Sequence, residues 1–500
     1  MEKVIDKVKK DDNETTIVDM YELPMGKTYF DTGDKDTYVY FDIFFRKNPF
    51  KGGYTVSGGL DNIIEYIKNF TYTDDDIDYL KSLNKYSDEY LEHLKGMKFT
   101  GDLYMVPDGT MVFPNEPILT VRAKTVEAQL IETAILHYFN TGSLITTAAK
   151  RITNEACDSD VIVDDFEAPV MEFGARRSLN PMQSSKYGYV GGCVGTSLVK
   201  AGETWGIPIM GTMAHSLISF YKDEEVAFRN FAKSNPDDCI FLVDSYDTLR
   251  EGVPNAIKVA KEFLIPNGIK FKGIRIDSGD LAYLSKEARK MLDAAGFKDA
   301  IICLSNGLDE YTIRSLKAQG AKFNSLGVGD NIAQPLDRVG GVYKLVAVEI
   351  NGKPDPRIKV SNDTIKTINP GYKRLYRFYS KETGYALGDV VALYNERINK
   401  TKYTLIHPVD TWKRQELTNY DVRELQVPIF KNGKLVYNLP SLQERREYCI
   451  QEFATLYPEI KRLENPAEYY VDLSPKLLKL KNDMINEHRE GRKVKCLTRK

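Results

Sequence analysis

Between about residues 160 and 345, short apolar runs return roughly every 25–30 residues, each followed by an amphipathic stretch, which is the spacing of βαβ units. Strands are predicted at Cys239–Val243, Phe271–Ile276, Ile301–Leu304 and Phe323–Leu326. Helices are predicted at Asn255–Leu264, Leu281–Ala295 and Asp309–Gln319. Such units build a parallel sheet, open or closed into a barrel, with chemistry at the C-terminal strand ends. Here each strand runs into a polar cluster. These are Asp244-Ser-Tyr-Asp247, Arg275-Ile-Asp277-Ser278-Gly279-Asp280, Ser305-Asn306-Gly307 and Gly327-Val-Gly329-Asp330. Upstream, Val170-Met-Glu172-Phe173-Gly-Ala-Arg176-Arg177 follows a strand-like run of its own. One polar turn is a loop; five at equivalent places on one rim make a site.

A sixth segment belongs with them. In Trp205-Gly-Ile-Pro-Ile-Met-Gly-Thr212-Met-Ala-His215-Ser216 an apolar strand meets a small-residue turn holding one histidine where a helix begins. A helix start offers unpaired N–H groups and a positive dipole end, which suit an anion. Imidazole is a nucleophile and acid–base group near neutral pH. On its own His215 would merely pack or cap; its neighbours change that reading.

Around this repeat the chain is organised differently. The charged residues 1–14 are expected to fray. A strand is predicted at 37–46, a helix at 61–70, two polar helices over 74–95, β structure over 97–122 and a long helix over 125–152. After about 346 the pattern is β-rich to about 440, then helical and charged to 490, which reads as a solvated outer layer. Domains are drawn at 1–155, 156–345 and 346–500.

Net charge is −2, from 69 basic and 71 acidic residues, so no basic field exists to hold nucleic acid. No apolar run reaches membrane length and the N-terminus has no signal-peptide core. Six dispersed cysteines without a Cys-x-x-Cys pair suit reduced, buried thiols. A cytoplasmic protein is expected.

The rim offers arginines at 176, 177 and 275, aspartates at 244, 247, 277 and 280, a histidine and glycine turns. Arginine binds carboxylate or phosphate through paired donors. Glycine turns let backbone N–H groups approach phosphate. Aspartates beside polyphosphate are tolerable with Mg²⁺ between. The set suits a ligand with several phosphates, a metal and a further anionic group. Each piece also has a plain structural reading: a solvated Arg176–Arg177 turn, helix N-caps at Asp244 and Asp277, a core ring at Phe173.

In order along the chain stand Asp19-Met-Tyr21-Glu-Leu, Phe44-Phe-Arg46-x-x-Pro49, Glu172-Phe-Gly-Ala-Arg-Arg177, Gly211-Thr-Met-Ala-His-Ser216, Val243-Asp-Ser-Tyr246, Arg275-Ile-Asp-Ser-Gly-Asp-Leu281, Ser305-Asn306 and Gly340-Gly-Val-Tyr-Lys-Leu345. With these motifs the chain resembles the nicotinate phosphoribosyltransferases over about 17–475. The resemblance implies an irregular TIM-like α/β barrel, an N-terminal α/β, β-rich domain and a C-terminal β/helical extension. It implies transfer of phosphoribosyl from 5-phosphoribosyl 1-diphosphate to nicotinate, coupled to ATP hydrolysis and hence in the ligase class, with Mg²⁺, in a homodimer with shared sites. His215 matches the histidine that ATP phosphorylates. Thr212 and Arg275 match nicotinate contacts, and Tyr21 a ring-stacking tyrosine from the partner subunit, with Phe173 opposite. Arg176 would take phosphate or carboxylate. Asp244 and Asp277 would organise ribose, diphosphate and Mg²⁺; Ser278, Gly279, Ser305, Asn306, Gly327, Gly329 and Asp330 would surround phosphoribosyl. Asp330 departs from the threonine many members carry there. The related nicotinamide enzyme has an aspartate near Gly195-Thr196-Ser197; Ser197 in its place favours the acid over the amide. The alternatives are that nicotinamide enzyme or a catalytically silent relative.

Overall fold

Tyr38–Phe44 is rich in aromatic and β-branched residues and is buried on both faces in the computed structural model, which describes residues 14–157, 168–360, 367–407, 410 and 412–497. The frayed segment expected at 1–14 lies outside the described residues except for Glu14, as do the side chain of Cys496 and residues 158–167. The chain forms two compact units, residues 1–143 with 338–440 and 451–500, and residues 144–337 with 441–450.

The first unit is built on a seven-stranded antiparallel sheet. At its centre Tyr38–Phe44 pairs with Leu119–Lys124 on one side and Val342–Ile350 on the other. Phe41 stacks on Tyr343 at 4.4 Å. Asp42 is buried in this strand, ion-paired to the equally buried Lys373 at 2.8 Å and accepting from Thr120 Oγ1. A four-stranded sheet and two two-stranded sheets complete its described β structure. The long helix expected over 125–152 is two, Thr125–Leu130 and Glu132–Ala156, divided at Ile131.

The second unit holds six parallel strands: β1 (Val170–Glu172), β2 (Gly195–Thr196), β3 (Ile240–Leu242), β4 (Gly273–Ile276), β5 (Ile301–Ser305) and β6 (Ser325–Val328). They lie in the order β2-β1-β6-β5-β4-β3, and all pairs are parallel. Most of their apolar residues are buried, as in a parallel sheet covered on both faces. Ile274, Ile276, Ile302, Leu304, Leu326 and Val328 have no exposed surface. The fold is thus mixed α/β with a parallel sheet and helices. A bridge between Thr196 and Ile209 adds a further parallel rung beyond β2. No backbone ladder joins that edge to β3 among the described residues.

Helices Leu281–Ala294 and Glu310–Ala318 fall where the periodicity puts them. Helix Val253–Val259 is flanked by π turns at Thr248–Gly252 and Ala260–Leu264. Strand β6 starts two residues later than predicted, because Phe323 packs in the core ahead of the first rung, Cys303 with Ser325. The charged tail is not merely an outer layer. In Leu442–Ala454 the side chains of Leu442 and Cys449 are buried, and Arg446 donates to the Gly192 and Cys193 carbonyls. Charge in the sequence hid these anchors, because long cationic side chains reach buried carbonyls while their stems pack. No disulfide joins the five cysteines whose side chains are described. No described helix is long and apolar enough to cross a membrane.

Candidate active site

Parallel strands bring their C-terminal turns to one edge of the sheet, so the polar clusters after β1, β3, β4, β5 and β6 meet. Arg275, on β4, is the hub. Its Nε donates to Ser305 Oγ at 2.8 Å, one terminal nitrogen to Thr212 Oγ1 at 3.2 Å and the other to Asp277 Oδ1 at 2.9 Å. Three of the five N–H groups of a guanidinium are engaged among the described residues, which leaves one on each terminal nitrogen. The same group lies 5.6 Å from the Phe173 ring centre. One edge of that ring lies against Gly327, where a Cβ would come within 2.5 Å of Cδ2 and 2.6 Å of Cε2. Glycine at 327 therefore makes room for the ring.

Asp244, its side chain fully buried, joins two parts of the rim. Its Oδ1 meets His215 Nε2 at 3.1 Å. Its Oδ2 accepts from Asp277 N at 2.9 Å and Ser278 Oγ at 2.6 Å. His215, more than a third exposed, is the first residue of helix His215–Tyr221, whose start has no side-chain cap. Ser305 is buried, and its hydroxyl donates to Asp277 Oδ1 at 2.5 Å while accepting from Arg275, so it faces protein partners.

The capping readings of Asp244 and Asp277 are overturned. The helix caps are Asp247, Asp280 and Asp309, each accepting from backbone N–H groups two or three residues on. In the turns after β3 and β4 the first aspartate turns into the site and the later one starts the helix. Asn306 and Gly307 follow with φ of +87° and +62°, a left-handed pair that turns the chain sharply after β5. Gly279 lies in the turn after β4, Gly327 within β6 and Gly329 directly after it. Asp330 opens the short helix Asp330–Ala333 and pairs with Arg177 at 2.5 Å, both exposed. Arg176 is exposed with no hydrogen bond or ion pair among the described residues. Ser197 is exposed, its N–H on the Glu172 carbonyl at 3.0 Å.

Tyr21 belongs to the first unit, at the start of helix Glu22–Asp31, about half exposed, with its hydroxyl on Glu132. Burial raises the pKa of the neighbouring Glu22 carboxyl to about 7, although Thr133 and the Asp19 N–H stabilise its charged form.

Sequence reasoning gave no role to Glu172, the last residue of β1. Fully buried, it accepts from Gly174 N at 2.7 Å, Ser184 Oγ at 3.1 Å, Ser185 Oγ at 3.1 Å and Thr196 Oγ1 at 2.7 Å. The available signal was an acid ending an apolar strand, directly before Phe173.

No group of three or more histidine, cysteine or carboxylate residues among the described residues could cage a metal. Asp277 Oδ2 is the one oxygen of the two central carboxylates without a hydrogen bond among the described residues.

Sequence profiles for the nicotinate phosphoribosyltransferase N-terminal domain, family and C-terminal domain match residues 16–140, 168–383 and 372–481. A nicotinate phosphoribosyltransferase of Bacillus subtilis is 44% identical over 485 residues, 96% of each chain. One of Dictyostelium discoideum is 34% identical, covering 92% of this chain and 86% of its own. The crystal structure of human nicotinic acid phosphoribosyltransferase superposes with a TM-score of 0.79 at 27% identity, covering 93% of this chain and 99% of that one.

Proposed function

The chain belongs to the nicotinate phosphoribosyltransferase family, and from that premise we propose how its rim performs the family's reaction. The enzyme moves phosphoribosyl from 5-phosphoribosyl 1-diphosphate to nicotinate, giving nicotinate mononucleotide and diphosphate for NAD salvage, with ATP hydrolysis coupled. The observation that carries the assignment of roles is the fan of Arg275 bonds to Thr212, Ser305 and Asp277 beside Phe173.

Nicotinate lies with its ring on Phe173 and its carboxylate on the two N–H groups Arg275 keeps free, with the Thr212 and Ser197 hydroxyls beside it. Stacking and a fixed carboxylate aim the ring nitrogen at the anomeric carbon. The nitrogen lone pair forms the new C–N bond as the anomeric C–O bond breaks, its electron pair leaving with diphosphate. No base is needed, because that lone pair carries no proton. Positive charge on the ribose faces Asp277 Oδ2.

Mg²⁺ fits this rim as an ion carried by diphosphate, with Asp277 as its one protein carboxylate. It would neutralise charge on the leaving group. Phosphate falls to Arg176, Ser278, Gly279, Asn306, Gly327 and Gly329. Asp330 is tolerated there because Arg177 answers its charge, and Ser305 serves by holding Arg275 and Asp277.

His215 carries phosphoryl. The ring nitrogen facing Asp244 holds the proton; the other attacks the γ-phosphorus of ATP, ADP leaves, and water later cleaves the phosphohistidine. Asp244 supports coupling, since the carboxylate that holds His215 also holds the Asp277–Ser278 turn. The enzyme works as a cytoplasmic homodimer in which Tyr21 of one protomer covers the ring bound by its partner.

The test is purified protein supplied with 5-phosphoribosyl 1-diphosphate, Mg²⁺ and γ-labelled ATP. Expected are diphosphate release dependent on nicotinate and an acid-labile, base-stable protein label absent from His215→Ala. Equal turnover of nicotinamide would overturn the choice of acid, and label retained in His215→Ala would overturn the carrier role.

A further inference from the structure

We propose that Glu172 is a positioning residue for nicotinate. The inference rests on the assignment of Phe173 and Ser197 to that substrate. An ionised carboxylate has about four lone-pair sites and no proton to give. Here four neutral donors accept that offer from three separate segments: the turn after β1, the first turns of helix Pro181–Val190, and β2.

The bonds fall on either side of the two substrate residues. Phe173 donates its own N–H to the Val328 carbonyl at 2.7 Å, and the next N–H, at Gly174, goes to Glu172 Oε1. Both peptide groups flanking the ring are therefore fixed. Ser197 donates its N–H to the Glu172 carbonyl. The preceding side chain, Thr196, donates to Glu172 Oε2, and the following N–H, at Leu198, goes to Thr196 Oγ1 at 3.1 Å. One buried side chain thus sets the spacing between the residue under the ring and the residue beside the carboxylate. Hydrogen bonds to an ionised acceptor are about twice as strong as neutral ones, which suits a group that fixes geometry. Helix Pro181–Val190 also packs closely here, since a Cβ on Gly188 would lie 3.3 Å from Glu172 Cγ.

Glu172→Gln separates positioning from folding. An amide nitrogen in the Oε2 place can donate to Ser185 and Thr196, whose hydroxyls rotate to accept, so the shape is kept and the charge lost. The expected result is a nicotinate KM raised about tenfold, with kcat within about threefold. The unfolding midpoint should stay within about 5 °C of the parent. ATP-dependent labelling of His215 should be unchanged, because the His215–Asp244 pair shares no hydrogen-bond partner with Glu172. Thr196→Val, which keeps the volume while removing the donor to Glu172 and the acceptor of Leu198 N, should raise the same KM several-fold and serves if Glu172→Gln does not fold. An unmoved nicotinate KM in a folded Glu172→Gln or Thr196→Val protein overturns the proposal, as does a loss of labelling in step with nicotinate turnover. Phe173→Ala distinguishes the two levels. If it raises the KM while Glu172→Gln does not, only the positioning role falls; if it leaves the KM unmoved, the placement of nicotinate falls and this inference with it.

Discussion

Arg275 sends three bonds in three directions from one planar group, and no other side chain can repeat that. Arg275→Lys keeps the charge but presents a single ammonium on a flexible stem. Ser305 and Asp277 would lose a partner inside a part-buried site, and a carboxylate substrate would lose its two-pronged contact. Relative kcat/KM for nicotinate should fall at least about 100-fold, close to 3 kcal/mol of transition-state stabilisation. Labelling of His215 by ATP should persist, because Asp244 keeps its bonds to Asp277 N and Ser278 Oγ. Steady-state kinetics with both readouts check this, and an unchanged kcat/KM would remove Arg275 from the substrate. At this scale the sequence marked polar residues that the fold gathers at one rim, but not how they pair there. Asp277 and Asp280 look equivalent in a one-dimensional motif. Only the turn geometry sends one into the site and the other to a helix start, and a buried acceptor such as Glu172 declares itself only when its donors from other segments are present.

At the level of the element, that division gives opposite predictions for two aspartates three residues apart. Asp280 caps helix Leu281–Ala294 through Tyr283 N. Its replacement by alanine should cost about 1 kcal/mol of stability and leave kcat/KM within a few-fold. Asp277→Ala should lower kcat by orders of magnitude while moving the unfolding midpoint less, which paired melting curves and initial rates would show. The N-terminal helix makes a different prediction. Burial holds the Glu22 carboxyl at about 7 in the folded chain, against an ordinary value of 4.5, and one of its oxygens has no partner among the described residues. Between pH 4.5 and 7 the folded chain keeps a proton that the unfolded chain has released, so this contribution is full below pH 4.5. It is lost as pH rises toward 7 and is constant above, a change of about 3 kcal/mol. Glu22→Gln should flatten that decline in melting curves taken from pH 5 to 8. A parallel decline in both proteins would show that Glu22 does not titrate this way.

For the whole molecule, what could be read from the sequence was what is local. The strand–helix repeat of the second unit and the polar strand ends come from neighbours in the chain, and periodicity records them. The first unit is assembled from distant pieces. Strand Tyr38–Phe44 pairs with Val342–Ile350 across some three hundred residues, and Asp42 meets Lys373. The 441–450 segment joins the second unit through Arg446 and Gln443, contacts that leave no period in the sequence. The same non-local logic bears on Tyr21. It lies in the first unit, while Phe173, Arg275 and His215 lie in the second. If each ring site takes its tyrosine from the partner protomer, two crippled chains can repair each other. A dimer of Tyr21→Ala lacks the covering ring at both sites, and a dimer of His215→Ala lacks the phosphoryl carrier at both. In a mixed dimer one site receives an intact Tyr21 and an intact His215, while the other receives neither. Random exchange in a two-fold dimer then restores about a quarter of the parent's ATP-coupled turnover from two nearly inactive stocks. Sites contained within one protomer restore nothing on mixing, so unchanged activity after verified subunit exchange would place Tyr21 with its own chain's ligand or away from the site altogether.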